Sequence, residues 1–482
     1  MNVRQLGAVG DGSAPATAAL QRAIDICGEG RGGTVFVPSG TYVTGTLWMR
    51  SHVTLHLGSG AHIIGQNCPT AFPLWQSNWE GSAAPVHAPL IAGEGLTNIA
   101  LMGRGAIDGS GQFWWNLLRQ GKLQHGRPCL VRFVDSRDVL IDGLKFTNSP
   151  YWTLNPTACE DVNITNVTIR NPHDSPNTDG INPDSCCNVR ISNCHIDVGD
   201  DCIAIKSGSE DHGRPNQRIC ENICITNCAM FHGHGGLVIG SEMSGGVRNV
   251  AMSNCVMRGT DRGIRLKSRR GRGSIVENLT VDNIIMDDVL CPIVVNQFYV
   301  CGAPQDSRLL DSPQPVTSAT PQFRRLRFSN ITAHNVKYAA AFVLGLPEMF
   351  VDDIVLDGMS IHMDPANILA GPPAMAAGVM DMCRAGFVLR NARNVKLRRI
   401  ELYNQLGPAV IVNNSQEILV SDLSASLEGD EPLMTVDGAE SSVENEELRP
   451  EGHIRAEHDN QRVRTFTRGW HVGHRFTRIA SD

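Results

Sequence analysis

One short pattern of apolar and polar positions recurs along most of this chain. It reads apolar, any, apolar, any, asparagine or glycine, and its clearest copies begin at Val139, Val162, Val189, Ile223, Val250 and Leu279. Their first residues are 23, 27, 34, 27 and 29 positions apart, and looser copies begin at Val53, Ile99, Leu326, Ile354, Val395 and Ile418. Alternation with a period of two predicts short strands with one buried face, and the repeat length predicts coils stacked in a solenoid. We therefore expect an all-β, single-stranded parallel β-helix.

An asparagine follows the second apolar position in five of these coils. Asparagine tolerates the left-handed backbone that a corner requires, and its amide can bond to the equivalent amide one coil away. We expect such a ladder to run through Asn166, Asn193, Asn227, Asn254 and Asn283.

A cysteine follows that asparagine at three successive corners, and Cys194, Cys228 and Cys255 should stack inside the core. The spacing of Cys220, Cys224 and Cys228 follows the strand pattern as well, which favours core packing over a zinc site. We expect no metal and no cofactor. The total of 15 cysteines is odd, so at least one thiol is unpaired, and reduced, mostly buried thiols are the simplest interpretation.

Two segments at the ends depart from the repeat. Leu20, Ala23, Ile24 and Cys27 are spaced as on one face of a helix, so a helix at about 15–28 should cap the solenoid. The sequence becomes polar from about residue 428. We therefore divide the chain into a β-helix at 1–427 and a polar appendage of unknown role at 428–482.

Two stretches interrupt the repeat, at residues 67–95 and 300–322. Long loops on a rigid solenoid often carry substrate contacts. The first contains Trp75 and Trp79, and Trp114 and Trp115 follow it. These rings could stack on sugar rings or merely pin loops.

Composition narrows the classes of function. The formal net charge of -7 argues against general binding of nucleic acid or of membrane surfaces, and no apolar run is long enough to span a bilayer. The first residues lack the apolar stretch of a secretory signal, which favours a cytoplasmic location. A secreted or periplasmic location is the alternative if a signal is missing, and oligomeric state stays open.

Four phrases carry the candidate chemistry: Asn177-Thr178-Asp179-Gly180, Gly199-Asp200-Asp201-Cys202, Gly233-His234-Gly235-Gly236 and Arg265-Leu266-Lys267. Their spacing resembles the repeat interval, so they should meet on one face of adjacent coils, about 4.8 Å apart per coil.

Clustered carboxylates oppose one another's ionisation, which supplies a protonated acid beside a charged base. The basic segment 262–272 contains guanidinium groups that can bind a substrate carboxylate through two parallel hydrogen bonds. Within it, Arg269, Arg270 and Arg272 are interpreted as a solvated loop.

With these phrases in order, the chain resembles the polygalacturonases of glycoside hydrolase family 28 over about residues 1–425. The resemblance implies a right-handed, pectin-lyase-like parallel β-helix and inverting hydrolysis of α-1,4-linked galacturonate in polygalacturonan, pectin or their oligosaccharides. The sequences of residues 238–242 and 259–267 resemble those of bacterial, often exo-acting members of this family. The disulfide that fungal members form from the cysteine after the paired aspartates has no obvious partner here for Cys202.

The resemblance also implies a role for each site residue. Asp200 would be the general acid, Asp179 and Asp201 would activate water, and His234 would support the acid. The substrate would be bound by Asn177, Arg265, Lys267 and Tyr299. An inverting mechanism predicts acid and base carboxylates roughly 6.5–9.5 Å apart.

Other functions remain open on the sequence alone. A rhamnogalacturonan or xylogalacturonan hydrolase would use the same residue types, and a pectate lyase shares the β-helix but eliminates with calcium. A carbohydrate-binding adhesion solenoid is the non-enzymatic alternative.

Overall fold

The computed structural model describes residues 1–76, 85–209, 218–300, 311–376, 378–426, 432–438, 442–446, 454–456 and 462–466. Helices are few and short in this part of the chain: α1 (Thr17–Glu29), α2 (Gly111–Arg119) and 3-10 turns at Val3–Leu6 and Pro69–Ala71. None of the described helices has the length and apolar character needed to cross a bilayer.

Strands make up most of the rest. The first half contains β1 (Asp11–Pro15), β2 (Gly33–Val37), β3 (Gly40–Thr44), β4 (Leu47–Trp48), β5 (Val53–Leu57), β6 (Ala61–Gly65), β7 (Leu74–Gln76), β8 (Pro85–His87), β9 (Ile91–Glu94), β10 (Thr97–Gly103), β11 (Ala106–Asp108), β12 (Val131–Val134), β13 (Arg137–Asp142), β14 (Lys145–Thr147), β15 (Leu154–Thr157), β16 (Glu160–Thr165), β17 (Thr168–Arg170), β18 (Cys187–Ser192) and β19 (His195–Val198). The second half contains β20 (Ile203–Ile205), β21 (Cys220–Thr226), β22 (Ala229–His232), β23 (Leu237–Gly240), β24 (Val247–Arg258), β25 (Arg262–Lys267), β26 (Ser274–Asp287), β27 (Cys291–Asn296), β28 (Pro321–Val336), β29 (Ala339–Leu344), β30 (Val351–Met363), β31 (Ala385–Arg390), β32 (Ala392–Tyr403), β33 (Val410–Asn413), β34 (Gln416–Ala425), β35 (Met434–Asp437), β36 (Ser442–Glu446), β37 (Ile454–Ala456) and β38 (Arg462–Phe466).

These strands form the predicted right-handed parallel β-helix. Within the described residues, 23 strands form one large sheet, which we call the repeat sheet. Strands β4, β9, β12 and β15 form a second sheet, and β20, β23, β25, β27, β29, β31, β33, β35 and β37 form a third. Isolated parallel bridges through Ile181 join β15 to β20, so the two smaller sheets continue each other. We call this combined surface the site sheet. Strands β7 and β8 form a separate antiparallel hairpin.

The register of the repeat sheet confirms the predicted repeat. Val139 pairs with Val162, and the same column continues through Val189, Ile223, Val250, Leu279, Leu326, Ile354, Val395 and Ile418. Each of these side chains is buried in the main hydrophobic core. The apolar pattern therefore fixes the pairing of each coil with the next, because a slip by one residue would expose every buried side chain.

The asparagines occupy left-handed corners, as predicted. All five have φ between 54° and 58°. The Asn283 amide donates to Asn254 at 2.7 Å, whereas the Asn166 amide donates to Asp142 at 2.9 Å.

A longer ladder of asparagine side-chain amides lies at the other end of the same strands, and it was not predicted from the sequence. Asn222 donates to Asn188 at 3.2 Å, Asn249 to Asn222 at 3.0 Å and Asn278 to Asn249 at 3.0 Å. All four of these residues also have positive φ.

The stacked thiols are buried, as predicted. Cys194, Cys228 and Cys255 are each at most 2% exposed, and the Cys228 N–H lies 3.4 Å from the Cys255 sulfur. A second column, through Cys159, Cys186 and Cys220, was not foreseen and shows the same 3.4 Å contacts. All fourteen cysteines of the described residues, Cys202 included, are free thiols.

The N-terminal end of the solenoid is capped, and its sheets continue beyond the predicted C-terminal boundary. Helix α1 buries Leu20, Ala23, Ile24 and Cys27, as predicted for the cap. Strand β35 pairs in parallel with β33, so the site sheet continues across the predicted boundary at residue 427, and 434–437 belong to the solenoid. Much of the remaining tail lies outside the described residues.

The predicted loop tryptophans do not share one role. Trp114 and Trp115 are 0% and 2% exposed, which contradicts sugar stacking and supports the alternative that they pin loops, since Trp114 packs edge-on against Phe72. Trp75 instead lies beside Arg132, whose guanidinium is 5.9 Å from the ring centre. Trp79 and residues 301–310 lie outside the described residues.

Candidate active site

The predicted catalytic residues lie on adjacent coils, in the turns that lead into the site sheet. The Gly180 N–H donates to the Asp201 carbonyl at 3.0 Å, and the His234 N–H donates to the Asp200 carbonyl at 3.2 Å. One coil further, the Asp261 N–H donates to the Gly233 carbonyl at 2.9 Å. Backbone pairing thus sets the order of the turns without any special loop.

Three carboxylates meet at this point. Asp179, Asp200 and Asp201 each offer one oxygen, and these oxygens lie within 4.8 Å of one another. Asp179 and Asp201 are only 3% and 1% exposed. Carboxylates this close and this buried cannot all ionise with equal ease, so their neighbours decide which one carries the charge.

Asp201 is the carboxylate that stays charged. Lys267 Nζ lies 2.7 Å from its Oδ2 and Arg265 Nη1 lies 3.3 Å from its Oδ1. Burial alone would raise the pKa of Asp201, but Lys267, Arg265 and Lys206 outweigh it and lower this pKa to about 2. A residue with such a low pKa is available as a base throughout the neutral and mildly acidic range.

Asp179 and Asp200 behave in the opposite way. Burial, followed by the charge of Asp200, raises the pKa of Asp179 well above its ordinary value. Burial and the adjacent charge of Asp201 raise the pKa of Asp200. A raised pKa favours the protonated form of the carboxyl group, and this is the form that can protonate a leaving oxygen, as the predicted role of Asp200 requires.

The separation of the carboxylates differs from the expected range. Their nearest oxygens lie within 4.8 Å, below the 6.5–9.5 Å expected for an acid and a base with water between them. The physical reason is the fold, because Asp200 and Asp201 are neighbours in one turn and Asp179 lies on the adjacent coil. The closeness of these carboxylates therefore carries no conclusion about stereochemistry.

His234 is held by a partner that sequence reasoning missed. Its Nδ1 lies 2.7 Å from Asp261 Oδ2. This bond, which outweighs burial and is aided by the charge of Asp200, raises the pKa of His234. The bond thereby orients the imidazole and favours its cationic form, and a charge on His234 lowers the pKa of Asp200 in turn.

Two further predicted residues border this centre. Tyr299 is 7% exposed, and its ring centre lies 5.2 Å from Lys267 Nζ and 5.7 Å from Arg265 Cζ. Asn177, two residues before Asp179, has φ of 56°, and its Oδ1 accepts a 2.6 Å bond from Arg127. Arg127 is itself buried and was not predicted.

A second buried ion network lies behind Asp179. Lys206 Nζ lies 2.9 Å from Glu242 Oε2 and 4.0 Å from Asp179 Oδ2, and 4.6 Å from the ring centre of Trp152. Burial opposes the charge of Lys206, but Glu242 and Asp179 raise its pKa. The one sequence signal for Lys206 is a lysine ending the apolar run 203–205, five residues after Asp201.

The interpretation of Arg269, Arg270 and Arg272 as a solvated loop is wrong. They are 8%, 5% and 7% exposed. Arg270 makes a two-pronged ion pair with Glu348 at 2.5 and 2.7 Å, and Arg272 contacts Ser241. The partners of Arg270 and Arg272 come from other coils, so a charge count over one segment could not identify them.

A long connection between β30 and β31 also contributes to the site, and the repeat spacing did not predict this contribution. Met375 Sδ lies 3.1 Å from Arg265 Nη2, and the Pro372 and Pro373 carbonyls accept bonds of 2.7 and 3.0 Å from Arg262. The connection therefore covers one end of the cationic pair.

Two groups among the described residues have the donor atoms for a metal ion. One is the carboxylate trio, where Lys267, Arg265 and Lys206 already supply positive charge. The other consists of His173, Asp197 and His232, outside the carboxylate centre.

This arrangement can carry out acid–base chemistry on an anionic substrate. Asp200 has the raised pKa that suits a proton donor, Asp201 is the charged carboxylate, and Arg265 and Lys267 place positive charge beside Asp201. Two carboxyl groups flanking a scissile bond are the usual equipment for cleaving a glycosidic bond.

Comparison with known proteins agrees with this chemistry. The model of the family "Glycosyl hydrolases family 28" matches residues 27–363. A probable polygalacturonase of Vitis vinifera is 32% identical over 367 residues, which cover 74% of this chain and 73% of the relative. An endo-polygalacturonase of Pectobacterium carotovorum subsp. carotovorum is 30% identical over 306 residues, covering 60% and 73%.

Solved structures give the same fold. The exopolygalacturonase of Thermotoga maritima superposes with a TM-score of 0.68 at 28% identity, covering 84% of this chain and 93% of that one. The family 28 exopolygalacturonase of Yersinia enterocolitica, at 23% identity, superposes with a TM-score of 0.67 and supports the fold alone. The family model spans more than half of the sequence and contains all four catalytic phrases, so this chain belongs to glycosyl hydrolases family 28 and is a glycoside hydrolase.

Proposed function

We propose that the chain hydrolyses α-1,4 bonds between galacturonate residues of polygalacturonan, pectin or their oligosaccharides, and that it acts from the chain end with inversion. One observation carries the proposal: a carboxyl group with a raised pKa, Asp200, adjoins a charged carboxylate, Asp201, that is held by Lys267 and Arg265. Guanidinium and ammonium groups beside the acid and base suit a substrate that carries its own carboxylates.

The substrate class is also supported by the relatives. The Vitis vinifera and Pectobacterium proteins are named polygalacturonases, and so is the Thermotoga maritima structure. Their names include both endo-acting and exo-acting enzymes, so the mode of action needs its own argument.

The exo mode is supported by what surrounds the cations. Met375 contacts Arg265, and the connection that carries it also binds Arg262 through two carbonyls. Trp75 and Trp152 line a recess together with Arg127 and Arg132. A connection that covers one end of the cationic pair favours binding of a chain end over binding of a long internal segment.

Product analysis tests substrate and mode together. Oligogalacturonates labelled at the reducing end are incubated with the enzyme, and the products are separated over time. Exo action predicts galacturonate, or another product of one fixed short length, from the first turnover. A random ladder of lengths would overturn the exo mode while leaving hydrolysis in place.

The stereochemistry and the reaction type have separate tests. Inversion at an α-linkage predicts that the β-anomer appears first in the proton NMR spectrum, and initial release of the α-anomer would contradict it. Activity in the presence of a chelator, without an ultraviolet-absorbing unsaturated product, excludes the lyase alternative. A panel of plain, methylated, xylosylated and rhamnose-containing polymers distinguishes the hydrolase alternatives, with Asp200→Asn as the inactive control.

A further inference from the structure

A cluster of two imidazoles and one carboxylate lies on three consecutive coils, apart from the catalytic carboxylates. His173 Nε2 lies 3.2 Å and His232 Nδ1 lies 3.0 Å from the same oxygen, Asp197 Oδ1. The two rings are also close to each other, with centres 3.6 Å apart and planes 33° apart. Three groups that metal ions favour thus converge on one point.

The distances match those between ligands of one ion. Zinc binds nitrogen and oxygen at about 2.0–2.2 Å, so two ligands at a tetrahedral angle lie roughly 3.4 Å apart. The nitrogen–oxygen distances of 3.2 and 3.0 Å are near this value, and all three donor atoms lie within 4.8 Å of one another. Small rotations of the side chains would place an ion between them.

The backbone holds these positions in register. Asp197 pairs with Arg170 on one side and with Phe231 on the other, so β17, β19 and β22 align the three turns. His232 ends β22 with φ of 56°. Side-chain exposures of 57% for His173, 27% for Asp197 and 44% for His232 leave the cluster open to an ion and to water as a fourth ligand.

We infer that His173, Asp197 and His232 form a binding site for one divalent transition-metal ion of the zinc type. Two imidazoles and one carboxylate, with one position open, are a donor set that such ions favour over calcium or magnesium. The proposal departs from the expectation, drawn from the sequence, that the protein binds no metal.

The site lies next to the catalytic turns in sequence. Asp197 precedes Asp200 by three residues and His232 precedes His234 by two, while His173 begins the loop that carries Asn177. A bound ion would therefore link three turns that otherwise depend on their own hydrogen bonds. The linkage predicts a stabilising effect that grows with the concentration of the metal.

Calorimetric titration of the intact, chelator-treated protein with zinc sulfate tests the inference. We expect one equivalent to bind and the melting temperature to rise with zinc concentration. His232→Ala and Asp197→Asn should each weaken binding at least about tenfold, since even changes to the partners of metal ligands cost that much. With copper as a probe, electron paramagnetic resonance should show coupling to imidazole nitrogen that disappears in the double variant His173→Ala/His232→Ala.

A second histidine pair supplies the control. His334 and His362 are stacked with ring centres 4.6 Å apart, and they lie away from the cluster on β28 and β30. His334→Ala should leave zinc binding unchanged. The proposal is overturned if the wild-type protein binds no zinc, or if the His232 and Asp197 variants bind as the wild type does. Melting curves without metal verify that each variant is folded.

Discussion

The repeat sheet and the site sheet are built from the same coils but bury their residues differently. Strand β24 of the repeat sheet alternates buried and exposed positions, whereas all six residues of β25 in the site sheet are buried. Arg265 and Lys267 are among those six. One sheet thus follows the usual rule of an apolar and a polar face, and the other buries charge on its outer side.

This difference between the sheets shows that the charged residues of the site sheet are buried for function and not for apolar packing. Charge in and beside the site sheet is tolerated because buried cations are paired with anions: Lys267 with Asp201, Lys206 with Glu242 and Arg270 with Glu348. Breaking one such pair leaves an uncompensated buried charge, which costs more than the pair itself contributes. Substitutions in the two sheets should therefore have different consequences.

The largest effect is expected from Asp201→Asn. It removes one of the two candidate bases and leaves Lys267 and Arg265 without their counter-charge. We expect kcat on polygalacturonate to fall roughly 10²–10⁴-fold. The free energy of unfolding, from urea titration, should fall by about 3–5 kcal/mol.

Asp282→Asn is the matched control in the repeat sheet. Asp282 accepts bonds from Ser329 and Asn330 at 2.6 and 2.8 Å, and an asparagine oxygen can accept both. Activity should be unchanged and the free energy of unfolding should change by less than about 1 kcal/mol. If the two substitutions have equal effects, the contrast between the sheets does not hold.

Asp200→Asn should separate activity from stability. Loss of the acid lowers kcat roughly 10²–10⁴-fold. Because the folded state raises the pKa of Asp200, the charged form is disfavoured by folding above the unfolded pKa of roughly 3.9. Removal of this charge should therefore leave the melting temperature at pH 7 unchanged or increase it. A clear decrease would contradict the assignment of Asp200 as a proton-bearing group.

The pH profile of kcat/KM distinguishes the two candidate bases. Activity should fall as pH rises through the raised pKa of Asp200, because the acid then loses its proton. If Asp201 is the base, with a pKa of about 2, the acid side stays flat down to about pH 3. An acid limb at much higher pH would assign the base to Asp179, whose pKa is raised well above its ordinary value. The pKa of His234 is also raised, so the variant His234→Gln tests whether a limb of the profile comes from the imidazole and not from a carboxyl group.

The smallest effect on activity is expected at the corner of the repeat sheet. Asn249→Ala removes amide bonds to Asn222 and Asn278 and places alanine at a φ of 57°. We expect a loss of roughly 1–3 kcal/mol in urea unfolding with unchanged kcat. Asn249→Gly accepts the same φ without strain and should lose less, so equal losses in the two variants would exclude backbone strain as the cause.

Sequence reasoning succeeded where one periodicity governed the structure. The column from Val139 to Ile418 follows from alternation and repeat length alone, and α1 follows from the spacing of four apolar residues. The same regularity brought Asp179, Asp200, Asp201 and His234 to adjacent coils, because their intervals match the repeat.

It failed where a side chain depends on a partner from another coil. Asp261 holds His234, Glu242 holds Lys206 and Met375 contacts Arg265, at separations of 27, 36 and 110 residues. The repeat predicts which turns lie on adjacent coils, but which of their side chains face one another depends on loop paths and rotamers, which the repeat does not determine. The buried cations at 269–272 were misassigned for the same reason.

The buried thiols of the solenoid can report the order in which its coils separate during unfolding. Cys194, Cys228 and Cys255 occupy successive coils, and Cys202 lies directly after the catalytic pair, all buried and unoxidised. A thiol reagent can reach each sulfur only when its own coil separates from its neighbours. Peptide mapping of the modified cysteines over time would therefore show which coil opens first. It would also show whether the turns that carry the catalytic residues stay folded after the ends of the solenoid have unfolded.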